Sequence, residues 1–397
     1  MTSVEQHGES LDSSLPHQAL SQSSIALVYN IKAVTSGTAP TAPQSSSQSS
    51  HSRIGETSLP ANHTMGREGR TNDVYAEWDT EETIQAVRAA LEERYPVTMI
   101  EANEQAFEKF RALKPSFVFN IAEGMHGVSR EAQIPAMLEM LQIPYLGSDP
   151  LTLALCLDKA RTKEILSYHR IPTAPFAVIS SMEEFDDLRV KFPAMVKPLH
   201  EGSSKGIYNS CVAHNVEELD REVSTILDTY RQPAIVEEFL PGREFTVAML
   251  GNDGDLRVLP IVEIKFDALP EGVNPIYSYE AKWIWDQSDR PLDIFECPAQ
   301  LDADLKSAIE SICSSAYRVL HCRDWSRIDV RLDAHGRPMI LEVNPLPGIL
   351  PKPEDNSCFP KAARAAGMSY NQLMNTVLDV AMHRAGLTVA QPVLMAL

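Results

Sequence analysis

Short apolar runs alternate with amphipathic stretches along the first part of this chain. Ser24-Ile-Ala-Leu-Val-Tyr29 has the unbroken apolar character of a buried strand. From Glu81 to Glu93, Ile84, Val87 and Leu91 recur at helical spacing, and Thr80 stands where an N-cap belongs, with Thr83 in the place of the usual capping glutamate. Val97-Thr-Met-Ile100 and Phe117-Val-Phe-Asn-Ile121 read as further strands, and Ala132 to Leu141 as a helix. Strands alternating with helices predict a parallel α/β domain.

Beyond Gly147 the pattern changes. Leu151 to Tyr168 reads as one long helix, with Leu155, Lys159, Thr162 and Leu166 along it. Strands are expected at Phe176–Ile179, Ala194–Lys197, Ser210–Ala213 and Ala234–Phe239, with helical stretches at Met182–Lys191 and Val216–Tyr230 between them. This makes a small α+β unit. A third unit starts near Leu240, with strands at Phe245–Leu250 and Val258–Ile264 and helices near Leu301–Val319 and Tyr370–Ala385.

The third unit also holds the most informative stretch. Trp325-Ser-Arg-Ile-Asp-Val-Arg-Leu-Asp and Met339-Ile-Leu-Glu-Val-Asn-Pro-Leu-Pro-Gly348 read as two strands joined by the turn Ala334-His-Gly336. Alternate strand residues share a face, so Arg327 lies beside Asp329 and Glu342 beside Asn344. Two carboxylates, an amide oxygen and a cation then converge. Hard oxygen ligands of this kind suit Mg²⁺ that bridges to nucleotide phosphates. For Arg-x-Asp alone the plainer reading is a solvated hairpin face; the Glu-x-Asn run ending in Pro-Leu-Pro-Gly favours a site.

Composition narrows the function classes. The 397 residues suit two or three domains, and 44% apolar content is ordinary for a globular chain. A net charge of −19 argues against nucleic acid or an anionic membrane as partner. Aromatic residues do not interleave with a basic patch, which also disfavours nucleic-acid stacking. The six scattered cysteines form no Cys-x-x-Cys pair, so reduced thiols in a cytoplasmic protein are expected. No apolar run reaches the length of a membrane span, and the polar N-terminus lacks a signal-peptide core. Residues 1–23 read as a disordered tail and 35–73, rich in Ser and Gln, as a flexible insertion. No internal repeat is present.

Three further stretches carry candidate chemistry. Lys197-Pro-Leu-His-Glu-Gly-Ser-Ser-Lys-Gly206 is a strand end running into a Gly/Ser loop whose small residues let backbone N–H groups approach an anion. It lacks the common P-loop spacing, and a polar hairpin with a surface lysine is the competing reading. In Val236-Glu-Glu-Phe-Leu-Pro-Gly-Arg-Glu244, Phe239 and Leu240 offer apolar walls for a flat purine, while Glu237 and Glu244 offer acceptors for an amino group and ribose hydroxyls. The alternative is an interdomain linker, and Glu238 fits only that. Tyr277-Ser-Tyr-Glu-Ala-Lys-Trp283 lies in a long aperiodic stretch with the character of a lid; Lys282 is either a phosphate ligand on closure or a surface lysine. No Ser/His/Asp triad is evident, and His126 and His200 read as polar loop residues.

Taken in order, these motifs resemble the ATP-grasp superfamily and, within it, the D-alanine–D-alanine ligase family. The similarity runs from Asn120 to about Ala385, about two thirds of the chain. It includes Ile143-Pro-Tyr-Leu-Gly-Ser148, Leu157-Asp-Lys159 with Thr162-Lys163, Val196-Lys-Pro198, Glu201-Gly-Ser-Ser204, Tyr279-Glu-Ala-Lys282, Arg327-Ile-Asp329, Leu341-Glu-Val-Asn344 and Pro360-Lys-Ala-Ala-Arg-Ala-Ala-Gly-Met368. The resemblance implies a three-domain α/β ATP-grasp fold: an N-terminal domain over 24–147, a central one over 148–236 and a C-terminal one over 237–390, with ATP between the last two. It implies phosphate contacts from Lys159, Lys197 and Lys282, adenine and ribose contacts from Glu237 and Glu244, and two Mg²⁺ ions, replaceable by Mn²⁺, on Asp329, Glu342 and Asn344. Ser203 and Ser204 would close over the phosphates and the first substrate, and Arg327 with the backbone of Gly348 would stabilise the tetrahedral intermediate. The implied reaction activates an amino-acid carboxylate as an acylphosphate and lets an amine displace phosphate, as in cell-wall D-alanyl-D-alanine synthesis. A homodimer formed through the N-terminal domain is a further expectation from the family.

The departures gather on the substrate side. The family's first strand runs into a Gly-Gly-x-Ser-x-Glu loop whose glutamate orients the first amine; here Tyr29-Asn-Ile-Lys32 runs into the Ser-rich insertion. Glu77 is the nearest counterpart, with a polar helix-start residue as the equal alternative. Ile121-Ala-Glu-Gly-Met-His-Gly127 replaces the family's His-Gly loop and turns attention to Glu123 as a substrate-facing residue. Trp283 takes the place of the usual lid Tyr or Phe. Extra residues, Pro351-Lys-Pro-Glu-Asp355, precede Ser357, which matches the serine that holds the second substrate's carboxylate. Retained chemistry with altered substrate choice is expected, and this leaves two readings open beside the cell-wall reaction: a ligase for another amino-acid pair in specialised metabolism, and a non-catalytic nucleotide-binding homologue.

Overall fold

The computed structural model describes residues 24–32, 77–286 and 292–387. The expected tail over 1–23 and the expected insertion over 35–73 lie outside the described residues. Three sheets organise the rest. The first is parallel, in the order β2-β1-β3, from β1 (Ile25–Tyr29), β2 (Val97–Glu101) and β3 (Phe117–Asn120). Helices α1 (Glu81–Glu92), α2 (Ala106–Leu113) and α3 (Gln133–Met140) accompany it. Thr80 caps α1 by accepting from Thr83 N at 3.3 Å, so the expected cap is present. The expected helix from Ala132 instead begins as a 3₁₀ turn, Arg130–Ala132, before α3.

The next correction concerns the stretch expected as one helix from Leu151 to Tyr168. It is two, α4 (Pro150–Leu157) and α5 (Lys159–Tyr168). Asp158 adopts an extended conformation and its carboxylate accepts from Arg161 N at 3.0 Å. A local cap thus wins over continued helix, and Lys159 becomes the first residue of α5. A four-stranded antiparallel sheet follows, in the order β4-β7-β5-β6, from β4 (Phe176–Ile179), β5 (Ala194–Pro198), β6 (Val212–Ala213) and β7 (Ala234–Glu238), backed by α6 (Val216–Tyr230). The stretch read as a helix at Met182–Lys191 is only a 3₁₀ segment, Met182–Asp187. The strand expected over Ser210–Ala213 is reduced to Val212–Ala213, because Asn209–Cys211 forms another 3₁₀ turn.

The third sheet is also antiparallel. Its path is β11-β10-β8-β12-β13, with β9 on β8: β8 (Glu244–Leu250), β9 (Arg257–Val258), β10 (Val262–Ile264), β11 (Phe295–Glu296), β12 (Trp325–Leu332) and β13 (Pro338–Asn344). The single strand expected over Val258–Ile264 is split because Pro260, which has no N–H to give a ladder, lies inside it. Helices α7 (Ala303–Val319), α8 (Cys358–Ala365) and α9 (Tyr370–Arg384) complete the unit.

The N-terminal sheet is docked on the third unit through α1 and α9. Leu91 shares one apolar core with Leu373, Val377 and Leu378. Arg94 pairs with Asp379 at 2.8 Å, and Asn375 donates to Ala90 O at 2.8 Å. Asp324, fully buried before β12, accepts from both Arg384 nitrogens at 2.8 Å and from Gly147 N at 2.8 Å. Removing that carboxylate strands a buried guanidinium contact and a backbone N–H together. Asp324→Ala is therefore expected to cost roughly 3–5 kcal/mol, read as a lowered urea midpoint with an unchanged slope.

Candidate active site

Strands β12 and β13 build the centre of the site. Their turn is held by Asp333, whose Oδ1 accepts from His335 N at 2.8 Å and Arg337 N at 2.9 Å, and Gly336 takes a left-handed φ of +76°. The turn sets the pairs nearest to it, and a β-bulge between Val330 and Asp329 then shifts the register, so that Arg327 opposes Asn344 and Asp329 opposes Glu342. Ile328, Val330, Ile340 and Val343 enter the core. The polar four therefore share the outer face. Arg327 donates to Asp329 at 2.9 and 3.1 Å and stands 3.8 Å from Glu342, and Asn344 Nδ2 lies 3.2 Å from Asp329 Oδ2.

Burial opposes the charge on Glu342, but Lys159, Arg327 and Lys197 more than offset it and hold its pKa at about 2. Burial raises Asp329 despite Arg327, and the charge of Glu342 across the strand pair adds to the rise. Two carboxyls on opposed strand positions, with an amide beside them, present oxygen donors of the kind a hard divalent cation needs.

The lysines come from the other side. Lys159, at the start of α5, has Nζ 4.0 Å from Glu342 and donates to Glu201 O. Lys197, at the end of β5, pairs with Glu237 at 2.6 Å. Glu237 is only 2% exposed and is also paired, at 2.6 Å, with Lys163. Burial resists its ionisation, but the two lysines dominate and hold it at about 2. Lys163 had a legible signal: it follows Lys159 by one helical turn and so shares its face.

Around Glu237 opens a cleft of about 490 Å³, with Met195, Phe239, Leu240, Ile276 and Glu244 in its lining. Glu244 accepts from Arg331 at 2.8 Å, and that guanidinium lies 4.9 Å from the Phe239 ring centroid and 5.1 Å from that of Phe266. Arg331 continues the alternation of Arg327 and Asp329 along β12, which is its signal in the sequence. Apolar walls with acidic acceptors at both ends suit a flat base and a polyhydroxy group.

The Ser203 loop and the long segment before Asp286 meet across this cleft. Ser204 Oγ donates to Tyr277 O at 3.0 Å, Tyr279 N donates to Ile207 O at 2.7 Å, and Asn274 N donates to Asn209 at 2.6 Å. A π-helical turn, Ala281–Trp285, then carries Lys282 beside Arg327; loss of solvation and that guanidinium lower its pKa to about 8. The side chain of Trp283 lies outside the described residues.

A smaller cavity, about 100 Å³, joins the inner end and is lined by Glu77, Glu123, Ser203, Lys282, Arg327 and Gly348 among others. The chain returns from residue 77 alongside β1, where Lys32 N donates to Asp79 O at 2.8 Å. Glu77, Asp79 and Glu123 thus stand at the carboxyl ends of the parallel strands, a usual place for ligands in such sheets. Ser357 lines the larger cleft beside Gly348: its Oγ donates to Gly348 O at 3.1 Å and accepts from Leu350 N at 3.2 Å. His200, read as a polar loop residue, does lie in the turn after β5 and is buried there, with Nε2 3.4 Å from Asp158.

Comparison with known proteins decides the family. The profile described as "D-ala D-ala ligase C-terminus" matches residues 165–379. A D-alanine–D-alanine ligase of Bordetella avium is 34% identical over 278 residues, 69% of this chain and 82% of that protein. The chain belongs to the D-alanine–D-alanine ligase family. It is an ATP-dependent ligase of that type. An uncharacterised Sinorhizobium fredii protein, y4sG, is 40% identical over 67% of this chain and 75% of its own length. The crystal structure of the Bacillus anthracis D-alanine–D-alanine ligase superposes with a TM-score of 0.64 at 23% identity, covering 91% of this chain and 98% of that one, which shows the ATP-grasp fold. The complex of that Bacillus anthracis enzyme with ATP superposes with a TM-score of 0.59 at 22% identity. Among the described residues, no helix is long and apolar enough to cross a membrane.

Proposed function

We propose that this chain joins two amino acids through an acylphosphate, with the face of Arg327, Asp329, Glu342 and Asn344 as its reacting centre. The observation that carries this reading is the register that sets those four residues against Lys159 and Lys282 at the junction of the two cavities. An amino-acid carboxylate in the smaller cavity takes the terminal phosphoryl group of ATP held in the larger cleft. An amine then attacks the carbonyl carbon, phosphate leaves with one former carboxylate oxygen, and the amide remains.

Each group has a physical task in this scheme. Lys159, Lys197 and Lys282 offset charge on the phosphates. Phe239 and Leu240 flank the base, and Glu237 and Glu244 accept from its amino group and the ribose. Asp329, Glu342 and Asn344 would hold Mg²⁺, which when bound would neutralise charge on the migrating phosphoryl group. Arg327 and the Gly348 N–H donate to the oxyanion. Ser203 and Ser204, with the lid over them, exclude water that would hydrolyse the acylphosphate. Ser357 stands where the second amino acid's carboxylate would be received.

Lys197→Ala is expected to weaken ATP binding by roughly ten- to a hundredfold, the worth of one charge-assisted hydrogen bond. Calorimetric titration of the free protein with ATP reads it directly; an unchanged affinity removes Lys197 from the phosphate site. Cell-wall D-alanyl-D-alanine synthesis is the first reading of the substrates. The acidic lining of the smaller cavity favours a second one, a different amino-acid pair. Phosphate release over D- and L-amino acids tests both: release with D-alanine alone supports the first, and release only with another pair supports the second. No release with any pair despite ATP binding contradicts the ligase scheme.

A further inference from the structure

The smaller cavity gathers more carboxyl groups than the α-ammonium of one ordinary amino acid can serve. Arg130 is only 8% exposed and donates to both oxygens of Glu77, at 2.6 and 2.7 Å. It also donates to His200 O at 2.9 Å. Glu77 accepts in addition from Gly202 N at 2.7 Å. Gly124, at φ +80°, allows this arrangement, since a Cβ there would sit 2.2 Å from Arg130 O. Glu77 is thus bound to protein donors and ties the phosphate loop to the N-terminal sheet. Its acceptor capacity is largely used.

Glu123, Glu131 and Asp79 line the same cavity. Among the described residues, none of the three side chains has a hydrogen-bond donor or an ion-pair partner. Of the nearby cations, Arg130 is paired with Glu77, Arg327 with Asp329 and Lys159 with Glu201 O, while Lys282 stands beside Arg327 where the cavity meets the larger cleft. Loss of solvation pushes Asp79 to about 7 and, with the charge of Glu77 and despite Arg130 and Lys159, Glu131 to about 8. Acidity alone would not mark a ligand site. What marks it here is that the carboxyls face an enclosed space opening onto Arg327 and Gly348, where the ligase reading places the activated amino acid. One α-ammonium brings three N–H donors but a single positive charge.

Resting on that ligase reading, we propose that the amino acid activated in this cavity is a diamino acid, its two ammonium groups received by Glu123, Glu131 and Asp79. Glu77 and Arg130 are then positioning residues for the loop rather than contacts to the amine. The second ammonium supplies the charge that the cavity's own side chains lack.

The test uses the full chain with ATP and Mg²⁺. Phosphate release is measured for both enantiomers of 2,3-diaminopropionate, 2,4-diaminobutyrate, ornithine and lysine, each against an uncharged amino acid of similar length and each with alanine or itself as partner. The proposal expects at least one diamino acid to exceed its uncharged counterpart by about tenfold or more in kcat/KM, and Glu131→Gln to bring that ratio towards one. Equal or faster turnover of the uncharged series overturns the proposal and leaves the ligase reading standing. An unchanged ratio in Glu131→Gln removes Glu131 from the subsite. Failure of every amino acid to release phosphate, while ATP binds, overturns both.

Discussion

Glu342→Gln is expected to lower turnover by about 10²-fold or more while leaving the fold intact. Glu342 stands opposite Asp329 and within reach of Lys159, Arg327 and Lys197, which together hold it ionised at about 2. The amide keeps the shape of the carboxylate but loses the charge. Losing even an outer-shell partner of a metal typically costs ten- to a hundredfold, and loss of a direct ligand costs at least as much. The same change leaves those three cations facing a neutral group, which weakens the centre further. Steady-state rates at several Mg²⁺ concentrations, beside an unfolding curve, separate the effects. A variant with full turnover at ordinary Mg²⁺ removes Glu342 from the metal site.

Arg327→Lys is the second large expectation, a fall in kcat of about 10²–10³-fold, the usual loss for one oxyanion donor. The substitution keeps the positive charge and loses the planar fork. In the native site that fork grips Asp329 with two nitrogens, at 2.9 and 3.1 Å, and its edge faces the small cavity. A lysine cannot hold Asp329 in that way and address the carbonyl oxygen as well. The loss should fall on kcat, with little change in KM for ATP, because the adenine cleft is built by other residues. A change confined to KM for ATP would place Arg327 with the nucleotide instead of the acyl centre.

Much of this centre was legible in the sequence because it lies on strands. Alternation predicts that Arg327 and Asp329 share a face of β12 and Glu342 and Asn344 a face of β13, but the bulge that brings the two pairs opposite each other has no signal in the spacing. The first parallel strands and the capped α1 were legible for similar local reasons. The break at Asp158 was not, because a capping carboxylate and a mid-helix surface carboxylate have the same helical spacing around them. The shortened helix after Met182 and the split at Pro260 are likewise local choices that periodicity overrides on paper.

The substrate side was least legible. Arg130 meets Glu77 across 53 positions, and Glu131 reaches the same cavity from a 3₁₀ turn. No spacing rule links them. Their meeting depends on β1 and β3 being neighbours and on Gly124 letting two backbones approach. Glu77 was legible as a candidate, but the guanidinium that occupies it was not.

The central claim is that a carboxylate is activated by transfer of a phosphoryl group. Its most direct test is to supply an accepted amino acid with its carboxylate labelled in ¹⁸O, together with ATP, Mg²⁺ and the partner amine, and to analyse the products by mass spectrometry. Activation as an acylphosphate gives ADP, an amide, and inorganic phosphate carrying one ¹⁸O atom for every amide formed. Amide formation with unlabelled phosphate, or with the label in AMP, would contradict it.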